Sequence, residues 1–157
     1  MSLAGLEAAL PAGDRILLDT TALAAYLEAA EPAHPVARHV IDSFVAGGRN
    51  AAVVSTVTVM EILIRPLRAV PPRHHTLLDF LSHQANLSVV ALDLQMAQDA
   101  AMLRAEHRLS PPDALIVGTG IACQVGHLVT NDLDWGRKLA RLEGRIKVCL
   151  LQDHLPL

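Results

Sequence analysis

RILLD, residues 15–19, is the stretch on which the fold turns. Its apolar positions are consecutive rather than alternating, as in a strand covered by helices on both faces, and a carboxylate closes it. AAVVS (51–55), LSVVAL (87–92), HLVT (127–130) and IKVCLL (146–151) are further strand candidates of the same kind. Residues 21–29, 35–46, 56–67, 74–84, 94–107 and 111–124 carry helical periodicity between them. Ser110 as an N-cap followed by Pro111 in the first helical position is a strong start signal, and Gly47-Gly48 and Gly126 supply stops. This order predicts an α/β three-layer sandwich with a central, mostly parallel sheet of about five strands.

Composition bounds the rest. A chain of 157 residues, 52% hydrophobic and with a mean hydropathy of +0.34, can bury one sizeable core but is short for two. A single domain over residues 15–157 is expected, preceded by an extension, residues 1–14, that reads as an added helical turn or a flexible arm. The longest uncharged apolar run, 114–125, falls short of the ~20 residues that cross a bilayer, and the N-terminus lacks the basic start of a secretory signal. A cytoplasmic protein with no membrane association is the expectation. Cys123 and Cys149 lie inside apolar runs without metal-ligand spacing and read as reduced core thiols, a disulfide being the alternative. A net charge of −3 provides no overall basic field, so any nucleic acid must be held by local patches.

Open α/β sheets place their ligand sites at the carboxyl ends of the strands. Four acids fall there in the expected framework: Asp19 at the end of the first strand, Glu61 six residues past Ser55, Asp113 in the first turn of the helix opened by Ser110, and Asp132 two residues past HLVT. Each has a structural reading when taken singly. Asp113 complements a helix dipole, Asp19 caps the helix that follows it, and Asp132 is a turn residue. Glu61, set in VSTVTVMEILI, is harder to explain without a partner. Jointly, four converging carboxylates repel one another, which raises their pKa values and destabilises the fold unless a divalent cation neutralises them. Oxygen ligands without a cysteine or histidine cluster suit magnesium or manganese rather than zinc.

The same residues resemble the PIN-domain ribonucleases, and within them the VapC toxins of toxin-antitoxin pairs. LLDTTAL is similar to the family's opening strand, STVTVMEIL to its second strand and acidic helix, SPPDALIVGTG to its third acidic segment and LVTNDLDW to its closing motif. The resemblance implies an Mg²⁺- or Mn²⁺-dependent endoribonuclease whose catalytic and metal-binding acids are Asp19, Glu61, Asp113 and Asp132. It implies supporting roles for Thr20, Thr130 and Asp134, a cognate antitoxin that inserts a segment into the acidic groove, and a homodimer. Trp135 stands where phenylalanine is commoner, a difference expected to alter packing and leave the acids untouched.

Two basic groups are candidates for holding RNA phosphates: Arg65, Arg68, Arg73, His74 and His75, and, near the closing motif, Arg137, Lys138, Arg141, Arg145 and Lys147. With 3% aromatic residues the chain offers little for stacking unpaired bases, which favours recognition of structured RNA. Apolar surface for partners is expected on the helices of residues 35–46 and 56–67. Two other classes fit the framework: a catalytically inactive PIN-like RNA-binding or interaction module, and a phosphotransfer enzyme or receiver. A dehalogenase-like enzyme needs a second Asp at position 21, which is Thr21, and a receiver needs a lysine after a late strand, where none is evident.

Overall fold

The computed structural model of the chain describes residues 3–140 and 144–155. Five parallel strands, β1 (Ile16–Leu18), β2 (Ala52–Ser55), β3 (Leu87–Val90), β4 (His127–Thr130) and β5 (Lys147–Leu150), form one sheet in the order β3-β2-β1-β4-β5. Helices α1 (Leu3–Ala9), α2 (Thr20–Leu27), α3 (His34–Arg38), α4 (Thr56–Arg68), α5 (His74–His83), α6 (Leu94–His107), α7 (Pro111–Ala122) and α8 (Asp134–Leu139) flank it. The three-layer α/β sandwich expected from the strand pattern is thus the architecture found. The order 3-2-1-4-5 differs from the 2-1-3-4-5 order of receivers, which sets the receiver reading aside.

Alternate strand residues serve opposite layers, which is why the strand sequences are continuously apolar. Ile16 and Leu18 point into the core beneath α1, α2 and α3, whereas Leu17, Val53 and Leu128 point into the core beneath α6, α7 and α8. Cys149 is buried in the first core and Cys123 is half-buried; both are free thiols, and burial, with a lesser effect of Asp153, pushes the Cys149 thiol up to about 12.

Two local features depart from the sequence reading, and a third decides between its alternatives. The helix expected over 35–46 is a short α-helix that widens into π-helical turns, His39–Val45, and its apolar residues Val36, Val40, Ile41, Phe44 and Val45 are all buried. It therefore offers the core, not a partner, its apolar face. Helix α8 has no counterpart in the sequence reading, because six residues are too few to establish a period. The described part of the 1–14 extension is helical over Leu3–Ala9, and Leu6 and Leu10 are fully buried in the first core. Asn50, itself buried, fastens the following turn by donating to the carbonyls of Pro11, 2.7 Å, and Asp14, 2.8 Å. Among the described residues no helix is long and apolar enough to cross a membrane.

Because Leu6 is a fully buried core side chain, Leu6→Ala should lower the unfolding free energy by about 2–5 kcal/mol in urea titration. A loss under about 0.5 kcal/mol would show that the N-terminal helix adds nothing to the core.

Candidate functional site

The strand order fixes where a site can form. The chain adds strands outward from β1 to β3, then returns to the other side of β1 for β4 and β5, so neighbouring connections diverge at the carboxyl ends of β1 and β4. Such a reversal opens a crevice. The pairing Leu18↔Val129 brings Asp19, the next residue, opposite Thr130. The Asp19 N–H donates to the Val129 carbonyl at 3.2 Å, which holds the ladder in register up to the acid itself.

Asp19 is 2% exposed. Its Oδ1 accepts from the Ala22 N–H at 2.8 Å and the Thr21 hydroxyl at 2.9 Å, and its Oδ2 from the Thr130 hydroxyl at 2.6 Å and the Trp135 indole N–H at 2.9 Å. The residue is therefore both the N-cap of α2 and the floor of the crevice, so the two readings of Asp19 describe one carboxylate. Burial raises its pKa above the ordinary 3.8, outweighing the opposing hydrogen bonds from Thr130, Ala22, Thr21 and Trp135.

Asp19, Glu61, Asp113 and Asp132 line a single cleft of about 300 Å³ together with Thr20, Thr21, Ile116 and Trp135. Each acid arrives by a local rule. Ser55 caps α4 by accepting from the Val57 N–H at 3.3 Å, and Glu61 lies on that helix, where its Oε2 accepts from the Thr20 hydroxyl. Ser110 caps α7 by accepting the Asp113 N–H at 3.3 Å, which sets Asp113 in the first turn with its carboxylate toward the cleft. Asp132 follows β4 in a turn: its N–H donates to the Thr130 hydroxyl at 3.0 Å, and its Oδ1 accepts from the Asp134 N–H at 2.9 Å.

Lys138 enters this acidic setting. Its Nζ lies 3.1 Å from Asp113 Oδ2, 3.4 Å from Asp132 Oδ2 and 4.8 Å from the centre of the Trp135 ring. Burial is the largest single influence on this ammonium and opposes its charge, but the hydrogen bonds and charges of Asp113 and Asp132 together raise its pKa. Trp135 and Lys138 are three residues apart on α8 and so share one helix face. Trp135 does more than pack, contrary to the expectation from its exchange for phenylalanine: its N–H bonds Asp19 directly. Lys138, expected among the phosphate-binding cations, instead pairs with two acids of the cleft. Thr21 was also overlooked; its hydroxyl bonds Asp19, lies 3.0 Å from that of Thr130 and accepts from the Asn131 N–H at 2.8 Å. The signal open to sequence reading was the hydroxyl two positions past Asp19.

Other expected site residues lie elsewhere. The Asp134 carboxylate is on the surface, 3.1 Å from Arg137, and is not among the residues lining the cleft. Arg65 and Arg73 line a different and larger cavity of about 490 Å³, with Tyr26, Ile62, Leu77 and Phe80, where Arg65 lies 3.5 Å from Glu28; Arg68 is exposed at the end of α4. Of the second basic group, Arg145 and Lys147 are exposed, and Arg141 lies outside the described residues.

The donor set of the cleft is carboxylate and hydroxyl oxygen, which fits a hard divalent ion such as Mg²⁺ or Mn²⁺. The arrangement is not a closed coordination cage: among the described residues no three His, Cys, Asp or Glu side chains are gathered closely enough to hold a metal. The reason is visible in the contacts, since Glu61 is turned to Thr20, Asp19 to its four donors, and Asp113 and Asp132 to Lys138.

A parallel three-layer sandwich with an acid-lined crevice at its strand-order reversal defines the class of protein. The PIN domain family model matches residues 16–141, and the chain belongs to that family. No curated protein sequence matches it. Among solved structures it is similar to a toxin-antitoxin complex from Klebsiella pneumoniae, with TM-score 0.63 and 20% identity over 87% of this chain and 97% of that one. It is also similar to DNA-bound VapBC from Salmonella typhimurium, with TM-score 0.63 and 20% identity over 87% and 98% of the two chains. A third is Mycobacterium tuberculosis VapC20, a sarcin-ricin loop cleaving toxin, with TM-score 0.64 and 17% identity over 78% and 93%. At these identities the likeness is one of fold.

The raised pKa of Asp19 has a defined sign. A buried acid that holds its proton more tightly when folded contributes stability that is fully present below 3.8 and lost as pH rises through the raised folded value. The chain has one tryptophan, whose indole N–H reports on Asp19. In ¹H–¹⁵N spectra recorded in EDTA, that indole resonance should titrate with a midpoint above 3.8. A midpoint at or below 3.8 would mean that the four hydrogen bonds, and not burial, govern the acid.

Proposed function

We propose that the chain is a divalent-metal-dependent endoribonuclease and the toxin of a toxin-antitoxin pair. The observation that carries this reading is the convergence of Asp19, Glu61, Asp113 and Asp132, from four separate segments, on one crevice at the carboxyl edge of the sheet. In this reading those four acids hold Mg²⁺ or Mn²⁺, while Thr20 orients Glu61 and Thr130 orients Asp19 through their hydroxyls. With the ion bound, the chemistry supplied is activation of water and neutralisation of charge on the phosphodiester. The chain's own part is to fix the acids in a partly buried, low-dielectric crevice and to aim a phosphate at them. No serine, cysteine or histidine lines the cleft among the described residues, and its two threonine hydroxyls are engaged with Glu61 and Asp19, which supports water as the nucleophile in this reading.

RNA as substrate is supported by the fold shared with VapC20, described as a sarcin-ricin loop cleaving toxin. Arg65 and Arg68 lie on the helix that carries Glu61, and Arg73 follows it, which supports their role in holding the RNA backbone on that side. A cognate antitoxin belongs to the same reading, since similar structures include toxin-antitoxin complexes. So do a homodimer and a cytoplasmic setting. Met60, Ile64 and Leu67, exposed on α4, supply apolar surface for a partner chain. Asp134, paired with Arg137, is assigned a supporting role at the rim rather than a ligand role.

Purified chain should cut structured RNA in the presence of Mg²⁺ or Mn²⁺, stop when EDTA is added, and lose cutting to background as Asp19→Asn or Asp113→Asn with folding retained by circular dichroism. Unchanged cleavage by either variant would refute the site, and RNA binding without cutting would select an inactive RNA-binding module. In light scattering at micromolar concentration, the isolated chain should be a dimer; a monomer would remove that part of the reading.

A further inference from the structure

We propose that Lys138 is a built-in competitor for the divalent ion, a tethered cation that holds Asp113 and Asp132 and must be displaced before an ion takes either carboxylate. This inference rests on the divalent-ion reading of the cleft given above and adds to it a residue that sets how tightly the ion is held.

The geometry allows few other roles. The ammonium sits between the two acids, 3.1 Å from Asp113 Oδ2 and 3.4 Å from Asp132 Oδ2, so its charge is offset by carboxylates from α7 and from the turn after β4. Its side chain retains only 26% exposure, unlike that of Arg137 next to it, at 79%. Lys138 is thus partly buried against two of the acids that line the cleft. It also lies over the ring of Trp135, whose N–H donates to Asp19. One cation therefore touches two of the four acids and, through Trp135, adjoins a third.

A dication approaching Asp113 or Asp132 meets a like charge at contact distance. Coulomb repulsion between the two, even in a largely solvated medium, is large enough to change occupancy by an order of magnitude. Lysine suits this role better than arginine would, because its ammonium is a compact point charge on a flexible stem that can swing away without breaking a bidentate fork. A phosphate arriving at the cleft is an anion to which the displaced ammonium can turn. Lys138 then passes from the acids to the substrate as the ion enters.

The test is calorimetric titration of the full chain with MnCl₂, free of RNA, comparing wild type with Lys138→Met, Lys138→Gln and Lys138→Arg. Methionine keeps an unbranched stem of similar length, glutamine keeps a polar head, and arginine keeps the charge. The Met and Gln variants should bind Mn²⁺ at least about tenfold more tightly than wild type, and the Arg variant within about threefold of it. Fluorescence of the single tryptophan, read in parallel, should respond to Mn²⁺ at correspondingly lower concentrations in the two neutral variants. If wild type binds Mn²⁺, Asp113→Asn abolishes binding, and the neutral variants bind no more tightly than wild type, the competitor role is overturned while the metal site stands. If neither wild type nor any Lys138 variant binds Mn²⁺, the competitor role and the divalent-ion reading fail together.

Discussion

Burial of one carboxylate at the centre of the sheet is the constraint around which the molecule is arranged. Asp19 ends the middle strand, is nearly inaccessible, and would be costly to ionise there without donors. Four groups from three segments meet that need: the Ala22 N–H and Thr21 hydroxyl from α2, the Thr130 hydroxyl from β4, and the indole of Trp135 from α8. The same contacts tie α2, β4 and α8 together at the strand-order reversal. A buried polar network of this kind strongly specifies its geometry, because a slip of register between β1 and β4 would part Asp19 from the Thr130 hydroxyl.

The remaining acids are handled differently. Glu61 is satisfied by a neutral hydroxyl, whereas Asp113 and Asp132 share a lysine. The cleft thus partners its acids by hydrogen bonding on one side and by ion pairing on the other. Such a division leaves the oxygen donors for a hard cation in place while preventing the open repulsion that four adjacent carboxylates would produce. It also explains why the acids share one wall of a cavity yet stop short of a closed coordination sphere.

Much of this was legible in the sequence, for identifiable reasons. Consecutive apolar residues in RILLD and HLVT announce strands covered on both faces, and caps at Ser55 and Ser110 fix where α4 and α7 begin, hence where Glu61 and Asp113 lie. What was hidden depends on contacts across the chain. A six-residue helix leaves no periodic trace, so α8 and the shared face of Trp135 and Lys138 went unseen. Lys138 looks like any surface cation until Asp113, distant in sequence, is brought beside it. The basic run after Glu61 shows the same dependence: its arginines are close to the acid in sequence, and Arg65 and Arg73 line the neighbouring cavity with Tyr26 and Phe80. The apolar residues of 35–46 are equally ambiguous on paper, and the packing of the first core claims them.

A crystal of the chain soaked in MnCl₂ and measured at the manganese absorption edge bears most directly on the central claim. An anomalous peak inside the cleft bounded by Asp19, Glu61, Asp113 and Asp132, with the Lys138 ammonium withdrawn from the two acids it contacts here, is the result expected. A cleft without such a peak at saturating manganese, or a peak coordinated only by residues outside it, would contradict the claim that these acids exist to hold a divalent ion.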